Sequence, residues 1–294
     1  MATELSRGNL FDPVLVKDLV NKVKGHSSLA ILSKQTPVPF NGRKEFVFSM
    51  DSEIDVVAEN GKKTHGGISI DPVTIIPIKV EYGARVSDEF MYASEEEQLE
   101  TLKAFNDGFA KKLASGLDLM AFHGINPRTG EASPVIGENN FDSKVAQIVT
   151  YTAATPDANI EAAIALVEGS DRDVTGMAIA PAVRADLAKM TKQNGEKLYP
   201  EFAFGGKPAT LGAQALDINK TVSSNDVDKA IVGDFANMFK WGYAKEIPMK
   251  IIEFGDPDNS GKDLQGYNQV YIRAEAYLGW GILDGASFAR VTNA

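Results

Sequence analysis

The chain has 294 residues, 44% hydrophobic and 24% charged, enough to bury a sizeable core in one large or two modest domains. It has no cysteine, which excludes disulfides, thiolate nucleophiles and Cys-based zinc or iron–sulfur sites. Forty acidic against thirty basic residues, a formal charge of -10, argue against a basic face that grips nucleic acid directly.

No window approaches the ~18 consecutive apolar residues of a membrane span. Met1-Ala2-Thr3-Glu4-Leu5 lacks the basic and apolar regions of a signal peptide, so a soluble protein made in a cytoplasm is expected.

Residues 1–43 read as an arm. Val14, Val16, Leu19, Val20 and Val23 fall on helical spacing between Pro13 and Gly25, which predicts one short amphipathic helix with little to bury against itself. From 44 to 86 the pattern is strand-like. Phe46, Phe48 and Met50 alternate with polar residues, Asn60-Gly61 suits a two-residue hairpin turn, and Val73 to Val80 returns with Pro72 and Pro77. Such a hairpin is too thin for a core of its own, and removing 45–80 is expected to leave a folded α/β unit but abolish assembly.

Residues 87–154 contain the strongest helix signal. Ser94 and Glu97 form a capping box, Glu95, Glu96 and Glu100 complement the helix dipole, and Leu99, Leu102, Phe109, Leu113, Leu117 and Met120 share one stripe. The helix should run to Phe122 and span ~43 Å before His123-Gly124, with His123 capping the last carbonyls.

Residues 155–254 read as an α/β unit. It has a helix from Thr155-Pro156 to Gly169, a buried strand from Val174 to Ala180, a helix from Pro181 through Met190, and strands at 230–233, 238–243 and 249–254. Residues 255–294 hold a polar loop and a closing strand in which Val270, Ile272, Ala274 and Ala276 alternate with Tyr271, Arg273, Glu275 and Tyr277.

Catalytic and metal motifs fail one by one. Gly206-Lys207 is followed by Pro208, where a phosphate loop needs Ser or Thr, and Gly279-Trp280-Gly281 sits in a strand, where sheet packing is the better reading. Asp256-Pro257-Asp258-Asn259-Ser260-Gly261 resembles the first half of a calcium loop, but its twelfth position is Tyr267 where a bidentate Glu is needed, so a solvated loop is expected. No catalytic residue, metal ligand or cofactor is assigned. The arm, hairpin and long helix project too far for one subunit to cover, which argues for an assembling protein.

The element order resembles that of tailed-bacteriophage major capsid proteins, the α+β Hong Kong 97-type fold of N-arm, extended E-loop hairpin, long spine helix, P-domain sheet and α/β A-domain. The residues that carry the likeness cover nearly the whole chain. They are Asp55 to Glu59 at the hairpin tip, Ser87-Asp88-Glu89 before the long helix, and Asp118, Gly124, Pro127 and Gly130 at its exit. Further on they are Thr175 to Pro181, Asn194 to Pro200, Val232-Gly233-Asp234-Phe235, and Ile272 to Glu275 through Phe288.

The resemblance implies self-assembly into hexamers and pentamers of an icosahedral shell enclosing double-stranded DNA, held without sequence specificity. It also implies a place in the virion after assembly in the host cytoplasm. Portal and decoration proteins are implied partners, and scaffolding comes either from a separate protein or from a removed segment. The E-loop tip, Glu59, Asn60, Gly61, Lys62 and Lys63, becomes an inter-subunit contact.

In the type member an E-loop lysine and a P-domain asparagine form an isopeptide bond with help from a glutamate, and the matching residues here are Lys63, Asn268 and Glu275. Each also has a plainer role. Lys63 is a soluble turn residue, Asn268 adjoins a turn-rich loop, and Glu275 can pair with an arginine such as Arg273 of another chain. Two other readings remain: an encapsulin-like nanocompartment shell, marked by a cargo groove, and an α/β enzyme, marked by a monomer with a deep polar pocket.

Overall fold

The alternating and helical periodicities of the sequence become three sheets and one long helix in the computed structural model, which describes residues 27–50, 52–245 and 249–293. The helix expected around Val14 to Val23 lies outside the described residues. Residues 27–38, read as arm, are seated in their own subunit. Helix α1 (Ser28–Leu32) is buried on Leu29, Ala30 and Leu32, and the chain beyond it runs beside a core strand, with the Thr36 N–H donating to the Trp241 carbonyl at 2.8 Å.

Strands β1 (Arg43–Met50) and β2 (Ile68–Ile75) pair antiparallel as a separate two-stranded ribbon, from Arg43 opposite Ile75 to Met50 opposite Ile68. This corrects the expected hairpin in two respects. The connection runs from 51 to 67, and Asn60-Gly61 forms the second half of a turn within it, with the Gly61 N–H donating to the Ala58 carbonyl at 2.8 Å. The return strand also ends at Ile75: Pro77 breaks the run, and β3 (Ile78–Ser87) belongs to another sheet.

Helix α2 (Glu95–His123) has 29 residues, with the capping box formed at Ser94 and Glu97 and a left-handed C-cap at Gly124, φ 65°. It is followed by α3 (Phe141–Lys144), β4 (Ile148–Thr150), α4 (Pro156–Glu168), β5 (Gly176–Ile179) and α5 (Pro181–Leu187). Then come β6 (Thr210–Leu211), β7 (Gln214–Ile218), β8 (Asp228–Gly233), α6 (Phe235–Met238), β9 (Phe239–Lys245) and β10 (Met249–Ile252). The 14-residue β11 (Gln269–Ile282) and β12 (Phe288–Thr292) close the chain. Strand β11 pairs with β3 along one edge and with β10 and then β9 along the other, while the second sheet has the order β4-β12-β8-β5-β7-β6.

Sheet membership therefore crosses the segment boundaries. Strands β9 and β10, grouped by sequence with 155–254, flank β11, and β12, grouped with 255–294, pairs with β4 and β8. Strand β5 and residues 230–233 of β8 are buried on both faces, which is why they read as apolar runs without alternation. Met177, Ile179, Ala230 and Val232 face α4 and α5, whereas Ala178 and Ile231 face the main core of α2, α1, β9, β11 and a Phe122, Phe141, Phe235, Phe239 and Phe288 cluster.

Candidate assembly surface

The ribbon is where the fold leaves apolar surface uncovered. Because side chains alternate across a strand, the register puts Phe46, Phe48 and Met50 on one face with Pro72, Ile70 and Ile68 directly opposite. That whole face is exposed, from 54% at Phe48 to 71% at Met50. The opposite face carries Glu45, Asp71 and Val73, and its root is seated on the body. Ile75 is fully buried over Gly279 and Gly281, where a Cβ would approach its side chain at 3.2 and 2.8 Å. The two glycines thus seat the ribbon's base, which is the packing role read for Gly279-Trp280-Gly281.

Eight residue pairs carry the tip ~27 Å from this root. There Glu59, Asn60, Gly61, Lys62 and Lys63 are all exposed, Asn60 takes φ 66°, and Ile54 and Val56 beside them are exposed by 96% and 93%. Thr64 Oγ1 donates to Asp55 Oδ2 at 2.8 Å across the loop.

Within one subunit the other two residues implied for a cross-link do not meet. Asn268, exposed and left-handed at φ 52°, precedes β11, and Glu275 lies seven residues along it, ~24 Å away. Glu275 is already engaged within its own subunit, with Arg273 Nε at 2.9 Å and Lys79 Nζ at 3.2 Å, rather than with an arginine of another chain. Burial would raise its carboxyl, but the Lys79 hydrogen bond and the charges of Arg273 and Lys79 hold it below its ordinary value.

Two buried polar clusters fix the body that carries the ribbon. Asp118, fully buried on α2, accepts hydrogen bonds from Ser27 Oγ at 2.5 Å, the Ser28 N–H at 2.9 Å, the Leu29 N–H at 3.3 Å and Thr221 Oγ1 at 2.7 Å. One carboxylate thereby joins the start of α1, the long helix and the 219–222 turn. Burial pushes its pKa up to about 6 even though these donors pull the other way. A signal for it was present in the sequence, since Asp118 interrupts the apolar stripe beside Leu117. Its partners, 89 or more positions away, could not be read.

The second cluster corrects the capping role expected of His123. Its Nδ1 faces Asp142 Oδ2 at 3.0 Å and its Nε2 faces the Thr221 carbonyl at 3.1 Å, so both ring nitrogens meet acceptors and the imidazolium satisfies both. Burial lowers its pKa, but Asp142, Asp228 and the Thr221 carbonyl outweigh that and raise it. Arg290 on β12 forks onto both oxygens of Asp228, at 3.1 and 3.2 Å, and reaches Asp142 at 2.8 Å. His123, Asp142 and Asp228 offer ligand atoms close enough for one metal ion, yet a metal would have to displace the Arg290 guanidinium. Among the described helices none is long and apolar enough to cross a membrane.

Comparison with known proteins gives one consistent result. The family model described as the phage capsid family matches residues 8–293. A solved chain of Mycobacterium phage Ogopogo is 33% identical, with a TM-score of 0.78 over 92% of each chain. One of Gordonia phage Cozz is 23% identical, with a TM-score of 0.76 over 92% of this chain and 87% of that one. A chain described as the capsid of a native GTA particle computed with C5 symmetry is 17% identical, with a TM-score of 0.66 over 91% of this chain and 90% of its own. No curated protein matches.

Proposed function

The chain belongs to the phage capsid family and is a major capsid shell protein, and from that premise we propose that it builds hexamers and pentamers of an icosahedral shell around double-stranded DNA. The observation that carries this reading is the ribbon. Its apolar face is left exposed by the described residues of its own subunit and points away from the root seated on Gly279 and Gly281, which supports a neighbouring copy as the surface that covers it. A wholly buried side chain of this kind contributes about 1.5–3 kcal/mol, so covering even part of the face gives each subunit a substantial reason to associate.

In this reading residues 1–43 hold the arm, 44–86 the E-loop, 87–154 the spine, 155–254 the A-domain and 255–294 the closing strand, and the strands that cross these boundaries stitch the segments together. The role is structural rather than enzymatic. Assembly takes place in the host cytoplasm, with scaffolding, portal and decoration proteins as separate partners. The acidic balance suits a wall that must not pin packaged DNA through its phosphates.

The ribbon-tip residues Glu59 to Lys63 rest on a neighbour. Because Asn268 and Glu275 lie far apart along one strand, any bond from Lys63 to Asn268 has to be assembled from several subunits. The test is to purify the chain alone, sediment it, image it by negative stain, and then boil the particles in denaturant. Closed shells or rings are expected, dissolving to one band at 31.7 kDa. A monomer that persists across salt and pH defeats the assembly reading. A ladder of covalent oligomers that Lys63→Ala erases establishes the cross-link.

A further inference from the structure

The loop between β10 and β11 has the spacing of half a calcium site and the geometry of one, yet a cation of the chain's own sits in it. A twelve-residue calcium loop ligates through the side chains of positions 1, 3 and 5 and the backbone carbonyl of position 7, with a glycine making the sharp turn at position 6. Counting from Asp256, those positions are Asp256, Asp258, Ser260 and Lys262, and position 6 is Gly261, with φ 78°.

All four oxygens converge on one nitrogen, Nη2 of Arg85 on β3. Asp256 Oδ1 lies at 2.7 Å, Asp258 Oδ1 at 2.5 Å, Ser260 Oγ at 2.6 Å and the Lys262 carbonyl at 2.9 Å. Nη2 has two hydrogens, so four oxygens at this range form a shell around a charge rather than a pair of hydrogen bonds. Two of these distances fall within the ~2.3–2.6 Å of calcium–oxygen bonds, and those to Asp256 and the Lys262 carbonyl exceed it by a few tenths of an ångström at most.

The rest of the guanidinium is held as firmly, by Asp258 Oδ2 on Nε at 2.9 Å and Gln269 Oε1 on Nη1 at 3.2 Å. The loop also closes on itself as such loops do, with Asp256 accepting the N–H groups of Ser260 at 3.0 Å and Gly261 at 2.7 Å.

We infer that Arg85 is the resident cation of a calcium-type loop, so that residues 256–262 hold their conformation without a metal. The missing twelfth ligand then has an explanation. Position 12 is Tyr267, and no bidentate carboxylate is needed when the charge arrives on a side chain anchored in a neighbouring strand. The guanidinium also does what a free ion would not, by tying the loop to β3, and so it sets where Tyr267 and Asn268 emerge at the head of β11. Two carboxylates left facing each other without it would need another cation.

The experiment measures cleavage after Lys262 by a lysine-specific protease in the full-length chain, in a chelator, with calcium at about 5 mM and with magnesium at the same concentration, a range set by weak natural calcium loops. The wild type is expected to be cut at the same rate in all three. Arg85→Ser removes the cation, and Arg85→Met removes it while keeping the side chain's apolar bulk, so that β3 packing is not what is tested. Both should be cut at least ten-fold faster in chelator and return towards the wild-type rate in calcium but not in magnesium, which resists irregular oxygen shells.

Three results would each overturn the inference. The wild-type rate responds to calcium or chelator, which puts a metal in the seat. The variants are cut at the wild-type rate in chelator, which means that the loop needs no cation. Or calcium fails to slow cleavage of the variants, which means that the oxygens do not form a calcium-type seat.

Discussion

Replacing residues 46–72 by a short glycine–serine linker is expected to abolish particle formation entirely while leaving a cooperatively folded subunit. The cut keeps Arg43 and Ile75, and with them the seat on Gly279 and Gly281, and it removes the whole exposed apolar face of Phe46, Phe48, Met50, Ile68, Ile70 and Pro72. A two-stranded ribbon adds little stability of its own, so the unfolding transition should move only slightly. Sedimentation reads the assembly and circular dichroism the fold. Particles that still form would show that the ribbon is not what joins subunits. Loss of the folded signal would mean that it supports the core.

The wider deletion suggested by the sequence, 45–80, would not separate assembly from the packing of the body. It removes Ile75, which is fully buried, and Ile78 to Val80, which pair with β11.

Asp118→Ala is expected to cost roughly 3–5 kcal/mol of stability, because a buried carboxylate is lost and the Ser27 and Thr221 hydroxyls and the Ser28 and Leu29 N–H groups are left without it. Urea midpoints measure this, and a loss under about 1 kcal/mol would mean that the segments hold together without the carboxylate. Asp118→Asn keeps the shape and removes the titration.

In the wild type the native state holds a proton on Asp118 up to about pH 6, whereas the unfolded chain releases it near 3.8. Between those values the native state binds more protons, so this group's contribution is largest at the acid end and is lost as pH rises through 6. His123, with its pKa raised, acts in the same direction above 6.5. From these two groups the wild type should therefore lose stability as pH rises through about 6 and again above 6.5, and Asp118→Asn should flatten the lower part of that slope while the His123 part remains. A wild-type profile that rises with pH over this range would reject the assignment.

The parts of the fold legible in the sequence are those whose cause is local. The capping box at Ser94 and the glycine after His123 bound the long helix to within one residue of expectation, and Pro156 and Pro181 open α4 and α5 where a first-turn proline should. Strands β4, β6, β7 and β12 escaped because they are short, or because, as in β12, a buried Arg290 hides the apolar pattern until Asp228 is placed beside it. The same reason separates what could be seen of the assembly surface from what could not. Alternation along β1 showed an apolar face, but its orientation depends on Ile75 meeting two glycines some two hundred residues away. Arg85 offered no signal at all, because its partners begin 171 positions further on.

The long helix has one more consequence, and it is mechanical. From Phe109 onward α2 is covered on most sides, with Ala110, Leu113, Ala114, Leu117 and Ala121 almost wholly buried, while between Glu97 and Gly108 it is held on one stripe, with Leu102 and Asn106 buried and Phe105 packed against the core. Gly108 lies where the two regimes meet, and open space surrounds the place its Cβ would take. A glycine inside a helix costs about 1 kcal/mol relative to alanine and stiffens nothing around it. Bending along this helix is therefore expected to concentrate N-terminal to Gly108, where one stripe holds it, and to spare the half in which Asp118 and His123 hold the body together.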